Sequence, residues 1–229
     1  MNDDKETWEQ KMSTGKYFGC KSEYVKDILE RRNNKDLLDA SLSAIGVTSG
    51  IHQGSFRKGF FDIRKEGQDW KVLEIGCGYG LYAAHFTDFV KEYIGVDVSE
   101  TIVNVGNKSM EEAEIKNVKL CAVKDCDVSF IPDNSIDFVF TAAVFIHTPW
   151  EVTRKYLEET YNKLKPGGKF LHHFNMHSLN EGIHRHMWQV YSEGELASIF
   201  KDIPLKQLDK FDNKPYAENQ YMRYIYGEK

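Results

Sequence analysis

From Trp70 onward, short apolar runs alternate with stretches whose apolar residues recur three and four positions apart. The first pattern reads as buried strands and the second as helices packed along one face. On that basis Lys71–Ile75 is a strand, Tyr79–Val90 a helix, Tyr93–Asp97 a strand and Ser99–Glu112 a helix. Val118–Val123 and Ile136–Thr141 follow as strands. Trp150–Leu164 is a helix stopped by Pro166-Gly167-Gly168, and Lys169–Phe174 is the next strand. Ser192-Glu193-Gly194-Glu195 has the capping-box pattern and opens a helix running to about Lys201. Leu205–Phe211 and Gln220–Tyr226 close the chain as strands, separated only by Asp212-Asn213-Lys214-Pro215.

Strands and helices alternating at this spacing imply an α/β fold, a mostly parallel sheet with helices on both faces. The last two strands have no helix between them, which predicts an antiparallel hairpin at one edge. Ahead of Trp70 the period is helical. Val25, Ile28 and Leu29 line a helix over Glu23–Arg32, and Leu37, Leu38, Leu42 and Ile45 line another over Lys35–Ile45. Asn33-Asn34 separates the two, Gly46 stops the second, and Phe56, Phe60 and Ile63 mark a third over Phe56–Lys65. We expect a single domain over 1–229, with 1–69 as an N-terminal helical extension and 70–229 as the α/β core. The polar first 20 residues carry Trp8, Tyr17 and Phe18; they are either disordered or a lid that closes over the site, with Tyr17 the expected contact.

Composition narrows the function classes. The 229 residues are 41% hydrophobic and 28% charged, as in an ordinary globular protein. A net charge of −5 without a basic block lacks the electrostatic footprint for nucleic acid. No apolar run approaches the length of a membrane-spanning helix, and the N-terminus does not read as a signal peptide. Cys20, Cys77, Cys121 and Cys126 show neither zinc nor disulfide-framework spacing, so reduced thiols in a cytoplasm are expected.

The chemistry concentrates at strand ends. Val72-Leu73-Glu74-Ile75 leads into Gly76-Cys77-Gly78-Tyr79-Gly80. Glycines there permit positive φ and let a ligand approach the backbone, and the following helix offers free N–H groups. The next strand ends in Asp97, followed by Val98, at the distance where an acid grips a ribose. The glycines fall at 76, 78 and 80, unlike the G-x-G-x-x-G of nicotinamide sites. Further on stand Lys124-Asp125-Cys126-Asp127 and Phe130-Ile131-Pro132-Asp133-Asn134-Ser135-Ile136-Asp137. Together these stretches resemble the class I, Rossmann-like S-adenosylmethionine-dependent methyltransferases: a hydrophobic run with E-x-G-x-G-x-G, then a G-D-A…L-P-F-x-D-x-S-F-D run. The resemblance covers Trp70 to Tyr226 and implies a seven-stranded sheet with one antiparallel strand near its edge. It implies S-adenosylmethionine as cofactor and S-adenosylhomocysteine as product. Glu74, Gly76, Cys77, Gly78, Tyr79 and Gly80 would lie under its methionine part and ribose, and Asp97 and Val98 beside the ribose. Asp125 would receive the adenine amino group, with the Cys126 backbone facing the ring. Lys124 and Val128-Ser129 depart from the family pattern, which puts the shape of the adenine pocket in doubt.

The fourth strand runs through Thr141 to Ile146-His147 without the [DN]-P-P-[YFW] motif of amino-methyltransferases of bases and of protein glutamine. A paired-glutamate segment like that of arginine methyltransferases is also missing. What remains resembles the small-molecule methyltransferases. Histidines then cluster at 172, 173, 177, 184 and 186, with Asn175 among them. They read as metal ligands, as core or solvated residues, or as an acceptor-orienting base; no carboxylate or cysteine stands at ligand spacing, and imidazole titrates where a base must. The expected function is methyl transfer to an oxygen or nitrogen of a small molecule. His173 and His147 are the candidate bases, with no metal, nucleic-acid or membrane partner, and the oligomeric state is open. A nucleotide-binding protein without turnover, or another group transferase on the same fold, is the alternative.

Overall fold

The structure is a computed structural model, and it describes residues 22–31, 63, 65–177, 183–185, 188–212 and 220–229. The helices expected over Lys35–Ile45 and Phe56–Lys65, and Trp8, Tyr17 and Phe18, lie outside these residues or nearly so. The strands form a seven-stranded sheet in the order β3-β2-β1-β4-β5-β9-β8, with β1 Lys71–Ile75, β2 Glu92–Asp97, β3 Val118–Ala122, β4 Ile136–Thr141, β5 Leu164–His177, β8 Lys206–Asp212 and β9 Gln220–Glu228. The described residues fall into two compact units, which divide between Lys124 and Asp125.

In the first unit, β1 pairs parallel with β2, and β2 with β3. Val72, Leu73, Ile75, Tyr93 and Val96 are buried, the all-apolar pattern of strands covered on both faces. Helix α1, Ser22–Arg31, buries Val25, Ile28 and Leu29 as its period predicts. Helix α2 is shorter than expected, Leu81–Phe86, because Gly80 at its N-cap is left-handed (φ 80°). Beyond its other end, the Asn117 amide donates to the carbonyls of Thr87 (2.7 Å) and Val90 (2.9 Å), holding the exit loop. Helix α3, Glu100–Glu112, starts at Ser99, whose hydroxyl accepts from the Ile102 amide at 3.4 Å.

In the second unit, β4 pairs parallel with β5, and β9 is antiparallel to both β5 and β8, the expected hairpin. Helix α4, Trp150–Lys163, passes directly into β5 at Leu164. Pro166-Gly167-Gly168 therefore does not separate the two elements as expected. It lies within β5 where the register against β4 shifts, with Gly167 at φ 74° and its N–H bonded to the Lys229 carbonyl (2.9 Å). Strand β5 also continues to His177. A two-stranded hairpin, β6 Ile183–Arg185 and β7 Trp188–Val190, was not legible in the sequence. Helix α5, Glu193–Phe200, carries the complete capping box of Ser192 and Glu195. Phe174 centres the core here, with ring centroids 5.5 Å from Phe145, 5.7 Å from Tyr191 and 6.0 Å from Phe200.

Candidate functional site

The glycine turn leaves β1 with Gly76 and Cys77 both donating to the Val96 carbonyl, at 2.7 and 3.1 Å. Gly76, Gly78 and Gly80 all have positive φ, 72°, 53° and 80°, so side chains would be strained at each. Their surroundings differ. A Cβ on Gly80 would meet Leu120 at 2.8 Å, whereas one on Gly78 would find nothing within 4 Å among the described residues beyond its chain neighbours. Gly80 is needed for packing; Gly78 presents bare backbone to open space, as a backbone-gripped ligand requires. Two further glycines hold the turn in place, and the sequence reading did not single them out. A Cβ on Gly95 of β2 would lie 2.6 Å from the Cys77 Cβ, and one on Gly106 of α3 2.6 Å from the Tyr79 carbonyl oxygen. An isolated glycine within a strand pattern is the signal that could have found Gly95.

Asp97 is tied to this turn. Its Oδ2 accepts from the Gly78 N–H at 2.9 Å and its Oδ1 from the Ser99 N–H at 3.0 Å. Each carboxylate oxygen has more than one lone pair, so both retain acceptor capacity. The helix-capping role belongs to Ser99 and not to Asp97. Glu74 is fully buried and accepts from the Tyr93 hydroxyl at 2.6 Å. Burial pushes its carboxyl up to about 8, against the lowering effect of the Tyr93 bond and helped by the Asp97 charge. Val98 and Tyr79 are half-buried and Cys77 is buried, its thiol pushed well up, chiefly by burial.

In the second unit, Asp125 and Cys126 are consecutive non-glycine residues in the left-handed region, at φ 51° and 61°. Each such residue costs on the order of 1–2 kcal/mol, and strain of this kind collects at binding sites. The Asp125 side chain is exposed; Cys126 is buried, its thiol pushed by burial up to about 11.

The histidines separate by environment. His172 is buried against Phe170 and Phe145, with Nδ1 3.3 Å from the Thr141 hydroxyl, and burial holds its pKa down at about 3. His177 is buried; its N–H donates to the Tyr191 carbonyl (2.8 Å). His186 and the side chain of His184 lie outside the described residues. His147 sits in a turn closed by its own N–H on the Val144 carbonyl (2.8 Å) and is half-buried. His173 is fully buried, its ring stacked on Tyr224 at 4.6 Å and 11°. Its Nδ1 accepts from the Ala143 N–H at 3.2 Å, and Nε2 has no partner among the described residues. Burial, then the nearby His147, holds its pKa at about 3. Ala143 itself is left-handed (φ 56°), a bend that aims its N–H at the ring.

Residues 72–168 match the family model described as "Methyltransferase domain". An uncharacterized protein of Rickettsia prowazekii is 32% identical over 62% of the chain and 58% of its own length. A demethylmenaquinone methyltransferase of Geobacillus is 31% identical over 43% of the chain and 42% of its own length. The chain thus spans about two-fifths to three-fifths of the curated relatives it matches. Among solved structures, geranyl diphosphate C-methyltransferase of Streptomyces coelicolor, in complex with S-adenosylhomocysteine, superposes with a TM-score of 0.62 at 14% identity, covering 76% of this chain and 77% of that one. Residues 72–168 thus match a methyltransferase domain, and the glycine turn, the acid at the end of β2 and the strand order agree with that match, while the superposition shows a shared α/β fold.

Proposed function

We propose that the protein transfers a methyl group from S-adenosylmethionine to an oxygen or nitrogen of a small-molecule acceptor. The observation that carries the cofactor half is the open, left-handed Gly78 backbone with Asp97 bonded to it. S-adenosylmethionine, when bound, would supply an electrophilic methyl on its sulfonium: the acceptor's lone pair would take the methyl, the S–CH3 electron pair would stay on sulfur as the thioether of S-adenosylhomocysteine, and the acceptor's O–H or N–H proton would pass to a base or to solvent. In this reading Gly76 to Gly80 seat the methionine part and ribose, and Asp97, beside Val98, accepts from the ribose hydroxyls through its remaining lone pairs. Glu74 supports the turn from within the core. Exposed Asp125 takes the adenine amino group, and the bent Cys126 backbone faces the ring. The residues contribute mainly by holding nucleophile and methyl in line and excluding water.

Relatives named for demethylmenaquinone and geranyl diphosphate favour a small molecule. The C-methyltransferase among them makes a carbon acceptor the second reading. Titrating S-adenosylhomocysteine by calorimetry, then following its production from S-adenosylmethionine with a small-molecule extract, tests the proposal. Binding with turnover supports it. Binding without turnover would leave a nucleotide-binding protein, and absence of binding would overturn it.

A further inference from the structure

Strand β5 outruns its parallel neighbour β4. Phe140, next to the end of β4, stands opposite Leu171, and β5 continues to His177. His173 and Asn175 lie in this overrun, at the carboxyl end where open α/β sheets take ligands. Alternation along the strand puts both on one face. Both are fully buried, and among the described residues His173 Nε2, Asn175 Nδ2 and Asn175 Oδ1 have no hydrogen-bond partner. A buried polar atom without a partner has lost its water and gained nothing in exchange. Three on two neighbouring side chains is more than a core ordinarily carries without a purpose.

The chemistry of these atoms defines what would satisfy them. The Ala143 N–H occupies the Nδ1 lone pair of His173, so the neutral ring carries its proton on Nε2. The pair then offers one N–H from His173, two from Asn175 and one carbonyl oxygen. Neither side chain is charged, so neither would offer an ammonium a counter-charge for the hydration that a buried ion loses. The Tyr224 stack and the Ala143 bond fix the ring plane, which suits recognition by direction. We propose that His173 and Asn175 form a neutral recognition pair for a hydroxyl or carbonyl oxygen of the methyl acceptor. His173 donates from Nε2 and does not act as the base. This rests on the methyltransferase reading above and narrows its acceptor to uncharged, oxygen-bearing molecules.

The test is nitrogen NMR on the full chain with 15N-labelled histidine and asparagine and S-adenosylhomocysteine bound. His173 should show the Nε2–H tautomer and stay neutral between about pH 5 and 9. Phenol or acetamide at millimolar concentration should shift the His173 Nε2 and Asn175 amide signals saturably, and benzylammonium should not. In His173→Phe and Asn175→Leu, affinity for the oxygen-bearing probes should fall at least about tenfold with S-adenosylhomocysteine affinity within about twofold of native, and His173→Gln should recover part of the loss. If the apolar variants do not fold, the native titration still decides. A cationic or Nδ1–H His173, an equal response to benzylammonium, or no response to either oxygen-bearing probe overturns the pair. Failure of the native protein to bind S-adenosylhomocysteine overturns the methyltransferase reading instead, while the histidine tautomer remains readable.

Discussion

Asp97 and Glu74, both acids at strand ends, are put to different uses by their surroundings. Asp97 holds the Gly78 and Ser99 amides with oxygens that can still accept. Asp97→Ala should therefore weaken S-adenosylhomocysteine binding by one to two orders of magnitude, as expected from losing charge-assisted bonds worth roughly 1.5–3 kcal/mol. Calorimetry on the folded variant checks this, and unchanged affinity would remove the ribose role. Glu74 is buried, with its carboxyl raised to about 8 from an ordinary 4.5. The folded state thus holds a proton that the unfolded chain releases. Its contribution is fully present below the unfolded value and is lost as pH rises through the folded one. Stability should fall by up to about 1.4 kcal/mol per pH unit between about pH 5 and 8. Glu74→Gln, which keeps an acceptor for Tyr93, should flatten that slope in denaturant titrations. An unaltered slope would mean the proton is held elsewhere.

At the scale of elements, hydrophobic period located β1, β2, β4 and the capped start of α5 to within a residue. It failed where backbone geometry overrode pattern. The left-handed Gly80 delays α2 until Leu81, and the Pro166-Gly167-Gly168 bulge lies inside β5 although proline and glycine read as a stop. The β6–β7 hairpin escaped because three-residue strands are too short to show a period. The glycine motif was legible as a motif, and Gly95 could be found only as a lone glycine inside a strand pattern; Gly106, which lets α3 approach the turn, was not legible, since close approach is a tertiary property. Gly106→Ala would place a Cβ against the Tyr79 backbone, which cannot move aside as a side-chain tip can. It should destabilise the protein by about 1–3 kcal/mol, measured by urea unfolding; a neutral result would contradict the packing described for α3. The histidine cluster was legible as composition, but which ring nitrogen is occupied depends on Ala143, thirty residues away.

For the whole molecule, net charge and strand order set the frame in which these details act. A net charge of −5 predicts no affinity for transfer RNA or duplex DNA at about 0.15 M salt, where binding depends on neutralised phosphates. A mobility shift at micromolar protein would contradict the small-molecule assignment. The resemblance implied seven strands with one antiparallel near the edge, but the order β3-β2-β1-β4-β5-β9-β8 was not read, because alternation of strands and helices fixes a parallel sheet but not which strands are neighbours. The central claim is that bare backbone at Gly78 seats the nucleotide cofactor. Calorimetric titration of S-adenosylhomocysteine into the native protein and into Gly78→Ala tests it most directly. Beyond its chain neighbours the added methyl meets no described residue within 4 Å, so among these residues its cost to folding is backbone strain at φ 53°, about 1–2 kcal/mol. The native protein should bind saturably, and a variant that remains folded should bind at least tenfold more weakly. Equal affinity in the two proteins would contradict it.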